Sequence, residues 1–133
     1  MKPFHLEIVT PDGLMYSGMP ESLLLRTDDG DVEIMAGHAD FLASLGIGRA
    51  RILENGQRRY ASVSGGFVTV RGGEVKLVAT TFEFADDIDV ERAMAAKERA
   101  ERALEGASGE IDVVVAKAKL LRALNRLNIS ELR

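Results

Sequence analysis

Apolar and polar positions alternate over roughly the first two thirds of the chain, in short segments that turns separate. Asn55-Gly56 and Gly72-Gly73 each lie between two alternating segments, and both dipeptides can close a two-residue β-hairpin because they accept positive φ. Pro11-Asp12-Gly13 and Asp28-Asp29-Gly30 mark two further turns. Short strands in this succession are typical of an antiparallel sandwich or a flattened barrel, and we predict a sandwich of two sheets.

The periodicity changes to that of a helix from Val90 onwards. Alanines then recur at steps of three and four residues and give one helix face little side-chain bulk: Ala93, Ala96, Ala100 and Ala103. A glycine-rich break follows at residues 106–109, with Ser108 as the candidate N-cap of a second helix. That helix carries its own apolar stripe at Val113, Ala116, Leu120, Leu124 and Leu127. We predict two antiparallel helices joined by a short turn.

The composition narrows the class of protein. With 46% hydrophobic and 29% charged residues in 133 positions, we expect one core, or one domain with an appendage. The net charge of −4 argues against nucleic acid as the main partner. No apolar run approaches the roughly 20 residues that a membrane span needs. The absence of cysteine excludes disulfides, thiolate zinc sites and a cysteine nucleophile.

The sequence lacks the recognisable motifs of a catalytic or metal site. Asp28, Asp29 and Asp31 lie close together, but the glutamate of a calcium loop does not follow them, so they are interpreted as a polar turn. The two histidines, His5 and His38, have no second histidine at metal-ligand spacing. No phosphate-binding glycine loop and no serine nucleophile motif is present. We therefore predict a non-enzymatic protein without a metal site.

Charged side chains form one narrow stripe on each predicted helix. At about 100° per residue, the members of each stripe fall within roughly a quarter of a turn. The stripes are Asp89, Arg92 and Arg99 on the first helix, and Lys119, Arg122 and Arg126 on the second. If the helices pair, several guanidinium groups converge beside a carboxylate. The planar guanidinium group is suited to bidentate binding of phosphate oxygens.

Two other interpretations of these charges remain open. They can be solvated helix faces that pair with neighbouring glutamates such as Glu91, Glu98 and Glu101. The basic stripe of the second helix can also dock on an acidic partner, because residues 113–130 contain no acid. Residue chemistry alone therefore leaves phosphate binding, partner docking and plain solvation as alternatives.

A set of short motifs runs through the chain in a characteristic order. In the strand region they are Leu6-x-Ile8-Val9-Thr10-Pro11-x-Gly13, Tyr16-Ser17-Gly18, Gly37-His38-Ala39, Ser64-Gly65-Gly66-Phe67 and Val78-Ala79. In the helical region they are Asp87-Ile88-Asp89-x-x-Arg92-Ala93 and Arg122-Ala123-Leu124-x-Arg126-Leu127. Each motif is weak singly, but their order and spacing are highly specific. By these motifs the chain resembles the epsilon subunits of bacterial F-type ATP synthases, over about residues 4–127.

The resemblance implies a ten-stranded β-sandwich over residues 1–85 and a helical hairpin over residues 86–133. The sandwich is expected to link the gamma subunit to the membrane rotor ring of a proton- or sodium-translocating complex. This places the chain in the central stalk at the cytoplasmic face of the bacterial plasma membrane, attached only through the complex. The hairpin is expected to fold on the sandwich, or to extend into the catalytic head of alpha and beta subunits and block ATP hydrolysis.

The resemblance also implies roles for individual residues in a chain that is not catalytic and requires no cofactor. ATP, as a regulatory ligand of the folded hairpin, would be bound at Glu83, Ile88, Asp89, Arg92, Ala93, Arg99, Arg122 and Arg126. Contacts with the catalytic head would come from Lys119, Arg122 and Arg126. The alternative is a free-standing module that senses nucleotides or binds another small ligand, with the sandwich only as a scaffold.

The expected contact with the rotor ring involves Asp31 and His38. Two neighbouring positions depart from the pattern that the resemblance implies, because Glu33 replaces a common glycine and Ala36 stands where proline commonly precedes Gly-His. Proline would fix the backbone of this loop, so its replacement changes the expected shape of the ring contact.

Overall fold

A computed structural model describes residues 2–133, which form seven β-strands and two α-helices. The strands are β1 (His5–Thr10), β2 (Gly13–Gly18), β3 (Ser22–Thr27), β4 (Gly30–Met35), β5 (Phe41–Glu54), β6 (Gln57–Arg71) and β7 (Glu74–Phe84). A 3₁₀ turn (Ala85–Asp87) leads to helices α1 (Val90–Glu105) and α2 (Glu110–Ser130). The prediction of a β-sandwich followed by a helical hairpin is confirmed.

The strands hydrogen-bond in the order β2-β1-β7-β6-β5-β3-β4, and this ladder folds over into two packed layers. All neighbouring pairs are antiparallel except β1 and β7, which are parallel. The ladder between β5 and β6 is interrupted at residues 45–46, and the ladder between β6 and β7 is interrupted at Gly65 and Thr80. Gly65 and Gly66 have φ of 68° and 102°, so this bend uses backbone conformations that favour glycine.

The number of strands differs from the expected ten. Strands β5, β6 and β7 are 14, 15 and 11 residues long, and each runs through the interrupted region from one layer into the other. Counting both halves of these three strands would give ten segments. The sequence suggested separate strands because glycines within β6 look like turn residues, whereas here they bend a continuous strand.

Both glycine-containing hairpins lie where the sequence predicts them. Asn55 and Gly56 have φ of 53° and 77° and connect β5 to β6, with Glu54 opposite Gln57. Gly72 and Gly73 have φ of 56° and 82° and connect β6 to β7. Positive φ at both central positions is the requirement of a type I′ turn, whose twist matches that of the paired strands.

The core lies between the two layers. Its least accessible side chains come from both ends of the sandwich and include Leu6, Ile8, Leu23, Ile52 and Leu77, each at most 1% exposed. Inward positions alternate with outward ones along β4 and β7, as a sheet with one buried face requires. Residues 61–64 of β6 are all buried, because α2 covers the outer face of that strand. This packed core supports the outward-facing residues of β6 and β7 that contribute to the cleft described below.

The helices pack through small residues at seven-residue intervals. Ala93 and Ala100 on α1, and Ala116 and Ala123 on α2, are at most 3% exposed. Small side chains at a helix contact allow the two axes to approach closely. Of the predicted alanine face, Ala93 and Ala100 are buried in this contact, whereas Ala96 is only partly buried and Ala103 is exposed. Each of the latter two lies three residues, or about 300°, beyond a buried alanine around the helix.

The two helices begin differently. Asp89 is the N-cap of α1, and its Oδ1 accepts a hydrogen bond from the Arg92 backbone N–H at 3.1 Å. The prediction that Ser108 caps α2 is wrong, because the N-cap position is Gly109, which has φ of 94° and no side chain to accept a bond. Within residues 2–133, neither helix is long and apolar enough to cross a membrane.

The hairpin is folded against the sandwich, and α2 makes the contact with β5 and β6. The Asn125 amide donates hydrogen bonds to the Gly48 carbonyl at 2.8 Å and to the Ser62 hydroxyl at 2.9 Å. Ile129 is 2% exposed and packs in a second apolar cluster with Ala85 and Ile88. Because α2 lies on the sheet and α1 lies on α2, the two charged stripes are brought towards β7.

Candidate functional site

A cleft of about 800 Å³ lies between the helical hairpin and the outer face of the sandwich. Six of its lining side chains are charged residues that the sequence singled out: Glu83, Arg92, Arg99, Lys119, Arg122 and Arg126. Hydroxyl groups line the floor and one wall, from Thr10, Ser62, Ser64, Thr80 and Thr81. The volume falls within the range of roughly 300–1,000 Å³ typical of small-molecule sites. Asp12 and Asp87 also line the cleft, which therefore combines five cationic side chains with three carboxylates and several hydroxyl groups.

Helical periodicity places the cations of both helices on the cleft. Arg92 and Arg99 are seven residues apart and so project from the same side of α1. Arg122 and Arg126 are four residues apart on α2, as a helix requires for one face. The expected convergence of guanidinium groups from the two helices is present in the structure, which brings together five of the eight residues implied for ATP.

One carboxylate of the cleft is paired with one of these arginines. Arg126 donates from Nε to Glu83 Oε1 at 2.8 Å and from Nη2 to Glu83 Oε2 at 3.3 Å. The two side chains are 27% and 31% exposed, so the pair is partly shielded from water. This bidentate pair ties α2 to strand β7 across the cleft.

The other cations of the cleft make no ion pair within the part of the chain from residue 2 to residue 133. Arg92, Arg99, Lys119 and Arg122 belong to none of the salt bridges there, although the helix does carry the pair Lys97–Glu101 at 3.9 Å. The interpretation of the stripes as faces paired with neighbouring glutamates therefore does not describe these four residues. Their positive charge is available to an anion in the cleft.

Three residues implied for ATP do not line the cleft. Asp89 caps α1 beside it, whereas Ile88 and Ala93 are 2% and 0% exposed. Ile88 packs against the end of α2, and Ala93 packs in the contact between the helices. The positions of these residues fit a role in shaping the linker and the start of α1.

The two residues expected to contact the rotor ring lie apart. Asp31 is at the start of β4 and forms an ion pair with Arg26 at 2.9 Å. His38 lies three residues beyond the end of β4, where its Nδ1–H donates to the Ala39 carbonyl at 2.7 Å and its ring packs on Phe41. The two residues thus lie near opposite ends of β4, because the strand ends at Met35 and the chain turns there, with the His38 N–H bonded to the Met35 carbonyl at 3.1 Å.

Several residues that build the cleft were not found from the sequence. Ser62 and Ser64 are outward positions of β6, and Asn125 docks α2 on that strand. Alternation along β6 indicates that the serines share one face, but nothing local shows that a helix covers it. Asn125 lies between Arg122 and Arg126 in sequence, and its role depends on a partner 63 residues away.

Tyr16 of the sandwich lies outside the cleft and has a raised pKa. Burial, followed by the nearby Glu54 carboxylate, raises the pKa of Tyr16 to about 12 from its usual 10.0, against a smaller opposing effect of Arg59. The ring also packs edge-on against Phe84. Tyr16 is therefore a neutral phenol at physiological pH and belongs to the packing of the sandwich.

An apolar stripe crosses the outer face of the other layer. The register places Leu14 opposite Val9, Val9 opposite Val78, and Val78 opposite Phe67, with Leu42 diagonal to Phe67. Leu14, Phe67 and Leu42 are 59%, 42% and 69% exposed. We call these five residues, Val9, Leu14, Leu42, Phe67 and Val78, the outer stripe. No residue between positions 2 and 133 covers it, which suits a contact with another protein.

Comparisons with known proteins match nearly the whole chain to one protein family. Family models of the ATP synthase delta/epsilon chain match twice, the beta-sandwich domain at residues 3–85 and the long alpha-helix domain at residues 86–131. The ATP synthase epsilon chain of Bacillus velezensis is 43% identical over 130 residues, which are 98% of each chain. That of Caldicellulosiruptor bescii is 37% identical over 131 residues, or 98% of this chain and 96% of the relative.

Solved structures show the same fold at low sequence identity. One chain of the Euglena gracilis mitochondrial ATP synthase, in a structure of OSCP, F1 and c-ring, aligns with a TM-score of 0.82 and 20% identity, covering 100% of this chain and 83% of the other. A chain from the central stalk and c-ring of the Tetrahymena thermophila mitochondrial ATP synthase aligns with a TM-score of 0.64 and 14% identity, covering 95% of each. The family models and the bacterial relatives together show that the chain belongs to the ATP synthase delta/epsilon chain family.

Proposed function

We propose that this chain is a central-stalk subunit whose folded hairpin binds ATP in the cleft and whose extended hairpin restrains ATP hydrolysis. Membership in the family makes it a non-catalytic subunit of ATP synthase, as the sequence predicted. The observation that carries the nucleotide-dependent part is the convergence of Arg92 and Arg99 from α1 with Arg122 and Arg126 from α2. Because the site takes residues from both helices and from β7, it is complete only while the hairpin is folded.

The chemistry of the cleft is suited to a triphosphate. Asp12 and Asp87 also line the cleft, but Arg92, Arg99 and Arg122 form no ion pair within residues 2–133. Each of these guanidinium groups can donate two parallel hydrogen bonds to a pair of phosphate oxygens. A polyanion also gains from the convergence of several charges in a partly enclosed space, where solvent screening is reduced. The site contains no glycine-rich phosphate loop, so binding is expected without hydrolysis.

ATP bound in this way would shift the hairpin towards the folded state. A ligand stabilises the conformation that contains its site by RT ln(1 + [L]/Kd), which is about 2.7 kcal/mol when its concentration is a hundred times Kd. The extended state lacks the site and is therefore depleted. Extension would free the basic stripe of Lys119, Arg122 and Arg126 for acidic segments of the catalytic head.

The outer stripe is proposed as the surface that docks on the gamma subunit. The similar chains of known structure are parts of ATP synthase assemblies, one of them described as the central stalk with the c-ring. Within such an assembly a subunit of the stalk needs an interface that stays bound while the hairpin moves. The outer stripe is apolar, lies on the rigid sandwich and is separate from the hairpin contact on β5 and β6. The ring contact at Asp31 and His38 remains part of this proposal.

A titration of ATP into the isolated chain tests the nucleotide site. We expect saturable binding by isothermal calorimetry, and a loss of at least about tenfold in affinity for Arg99→Gln or Arg122→Gln, since each removes a bidentate phosphate contact. Arg102→Gln is the matched control, because Arg102 is an exposed arginine of α1 that does not line the cleft. If the unaltered chain binds no ATP, or if Arg102→Gln weakens binding equally, the proposed site is wrong.

Binding to gamma separates the stalk role from that of a free-standing nucleotide sensor. Phe67→Asp with Leu42→Asp should weaken a gamma complex by at least about tenfold, because both changes place charge in the centre of an apolar contact. Val115→Asp is the control, since Val115 is 47% exposed on α2 and outside the outer stripe. A chain that binds ATP but shows no affinity for gamma would favour the free-standing sensor.

A further inference from the structure

The end of α2 is tied to the linker between the sandwich and α1. Arg133 donates from Nε to the Ala85 carbonyl at 3.0 Å and from Nη2 to the Ile88 carbonyl at 2.6 Å. Ala85 begins the 3₁₀ turn that follows β7, and Ile88 follows that turn and precedes Asp89, the N-cap of α1. One guanidinium group therefore bridges the two ends of the only connection between sandwich and hairpin within residues 2–133.

Local structure directs Arg133 to this position. The backbone N–H groups of Glu131 and Leu132 bond to the carbonyls of Asn128 and Ile129 at 3.3 and 2.9 Å, so the chain turns back at the end of α2. Ile129 is buried in the same cluster as Ala85 and Ile88, which brings the end of α2 beside the linker. The direction of Arg133 thus follows from packing that exists only while the hairpin is folded.

Both linker carbonyls can accept a hydrogen bond from Arg133 without giving up one within a helix. The first helical bond of α1 runs from the Ala93 N–H to the Asp89 carbonyl, so the Ile88 carbonyl precedes the hydrogen-bonded part of the helix. The Ala85 carbonyl accepts the Ile88 N–H at a long 3.3 Å and retains a second lone pair. A charged donor forms stronger bonds with such carbonyls than a neutral donor does.

We propose that Arg133 is a clamp that holds α2 on residues 85–88 and sets how often the hairpin leaves the sandwich. The linker must change direction for the hairpin to extend, and both bonds of Arg133 join the moving helix to that linker. The clamp acts separately from the Glu83–Arg126 pair, which joins α2 to β7, and from Asn125, which joins it to β5 and β6. Only its consequence for ATP hydrolysis rests on the proposed function.

Hydrogen exchange of the full chain, followed by mass spectrometry without ATP, measures hairpin opening directly. Arg133→Ala should raise the exchange of residues 86–95 and 120–130 about tenfold, since it removes two charge-assisted hydrogen bonds. Arg133→Lys should restore only part of the protection, because an ammonium group cannot reproduce the planar two-pronged donation. Exchange of β6, which does not contact Arg133, should stay unchanged and shows that each variant is folded.

The control is Arg102→Ala, which removes an exposed arginine from α1 and should leave exchange unchanged. The clamp is wrong if Arg133→Ala exchanges like the unaltered chain, if Arg102→Ala has the same effect, or if Arg133→Lys restores full protection. A second measurement, ATP hydrolysis by the assembled complex carrying Arg133→Ala, should show a lower rate because the extended hairpin is more populated. Faster exchange with unchanged hydrolysis would support the clamp and contradict the inhibitory function.

Discussion

The pair of Glu83 and Arg126 offers a quantitative test of how the hairpin is held. We consider Glu83→Ala, Arg126→Ala and the double variant, each compared with the unaltered chain. The side chains share two hydrogen bonds, at 2.8 and 3.3 Å, and are 31% and 27% exposed. Exposed pairs contribute about 0–1 kcal/mol, whereas breaking a fully buried pair costs about 3–5 kcal/mol. For this partly shielded bidentate pair we expect about 1 kcal/mol, at the upper end of the exposed range.

That free energy corresponds to a factor of about five in the opening equilibrium of the hairpin. Each single variant should therefore raise hydrogen exchange in α2 about fivefold in the absence of ATP. The double variant should resemble either single one, because the interaction is already lost after the first change. Hydrogen exchange is the suitable assay, since the chain contains no tryptophan and fluorescence offers no signal from the hairpin.

The result that would refute this reasoning is additivity. If exchange rises about 25-fold in the double variant, the two side chains act independently and their bonds do not hold the hairpin. Exchange in β6 serves as the reference, because loss of the pair should not affect the sandwich. If β6 also exchanges faster, the substitutions have destabilised the whole chain and the pair contributes more than hairpin docking.

Three other predictions follow from packing, backbone geometry and titration. Ala123→Leu should destabilise the hairpin by about 1–3 kcal/mol in thermal unfolding, because it overfills the helix contact. Ala103→Leu, on the exposed side of α1, should have little effect. Equal melting temperatures for these two variants would contradict the small-residue contact. Gly66→Ala should lower the free energy of unfolding by more than about 3 kcal/mol, since a Cβ would lie 1.9 Å from the Val78 carbonyl oxygen and φ is 102°. Gly37→Ala should lower it by only about 1 kcal/mol, because φ is 83° there but nothing lies within 4 Å of the added Cβ. Similar losses for the two variants would argue against a close approach at Gly66. Because the pKa of Tyr16 is raised to about 12 in the folded chain, the neutral phenol contributes fully to stability below pH 10, and this contribution is lost as the pH rises towards 12. Between pH 9 and pH 11, the free energy of unfolding in urea should therefore fall less for Tyr16→Phe than for the unaltered chain. Identical decreases would exclude Tyr16 as the cause.

The parts of the fold that the sequence predicted depend on local rules. Asn55-Gly56 and Gly72-Gly73 specify their hairpins because few other residues accept positive φ at two successive positions. The start of α1 follows from the change of period at Val90. The number of strands did not follow, because the bend at Gly65 and Gly66 depends on how the two layers close on the core.

The candidate site was predictable only in its helical half. The steps from Arg92 to Arg99 and from Arg122 to Arg126 determine that each pair shares a face, whatever the helix packs on. The serines of β6 and the amide of Asn125 join the site through docking of α2 on the sheet, which no local pattern encodes. The position of Ala103 was mistaken for a similar reason, since the packed face is selected by the partner helix rather than by the alanine spacing.

The parallel pairing of β1 with β7 bears on how the chain folds as it is made. His5 and Glu74 are neighbours across this ladder although 69 positions separate them in sequence. A contact of such long sequence separation forms slowly, because a large loop must lose conformational entropy by closing before the strand–strand hydrogen bonds can form. On the ribosome, β1 and β2 emerge first but must remain without their neighbour until β7 has been synthesised, with an edge open to other chains. We therefore expect β1 and β2 to be the last strands to join the sandwich, and we expect a chaperone that recognises this chain to bind residues 5–18.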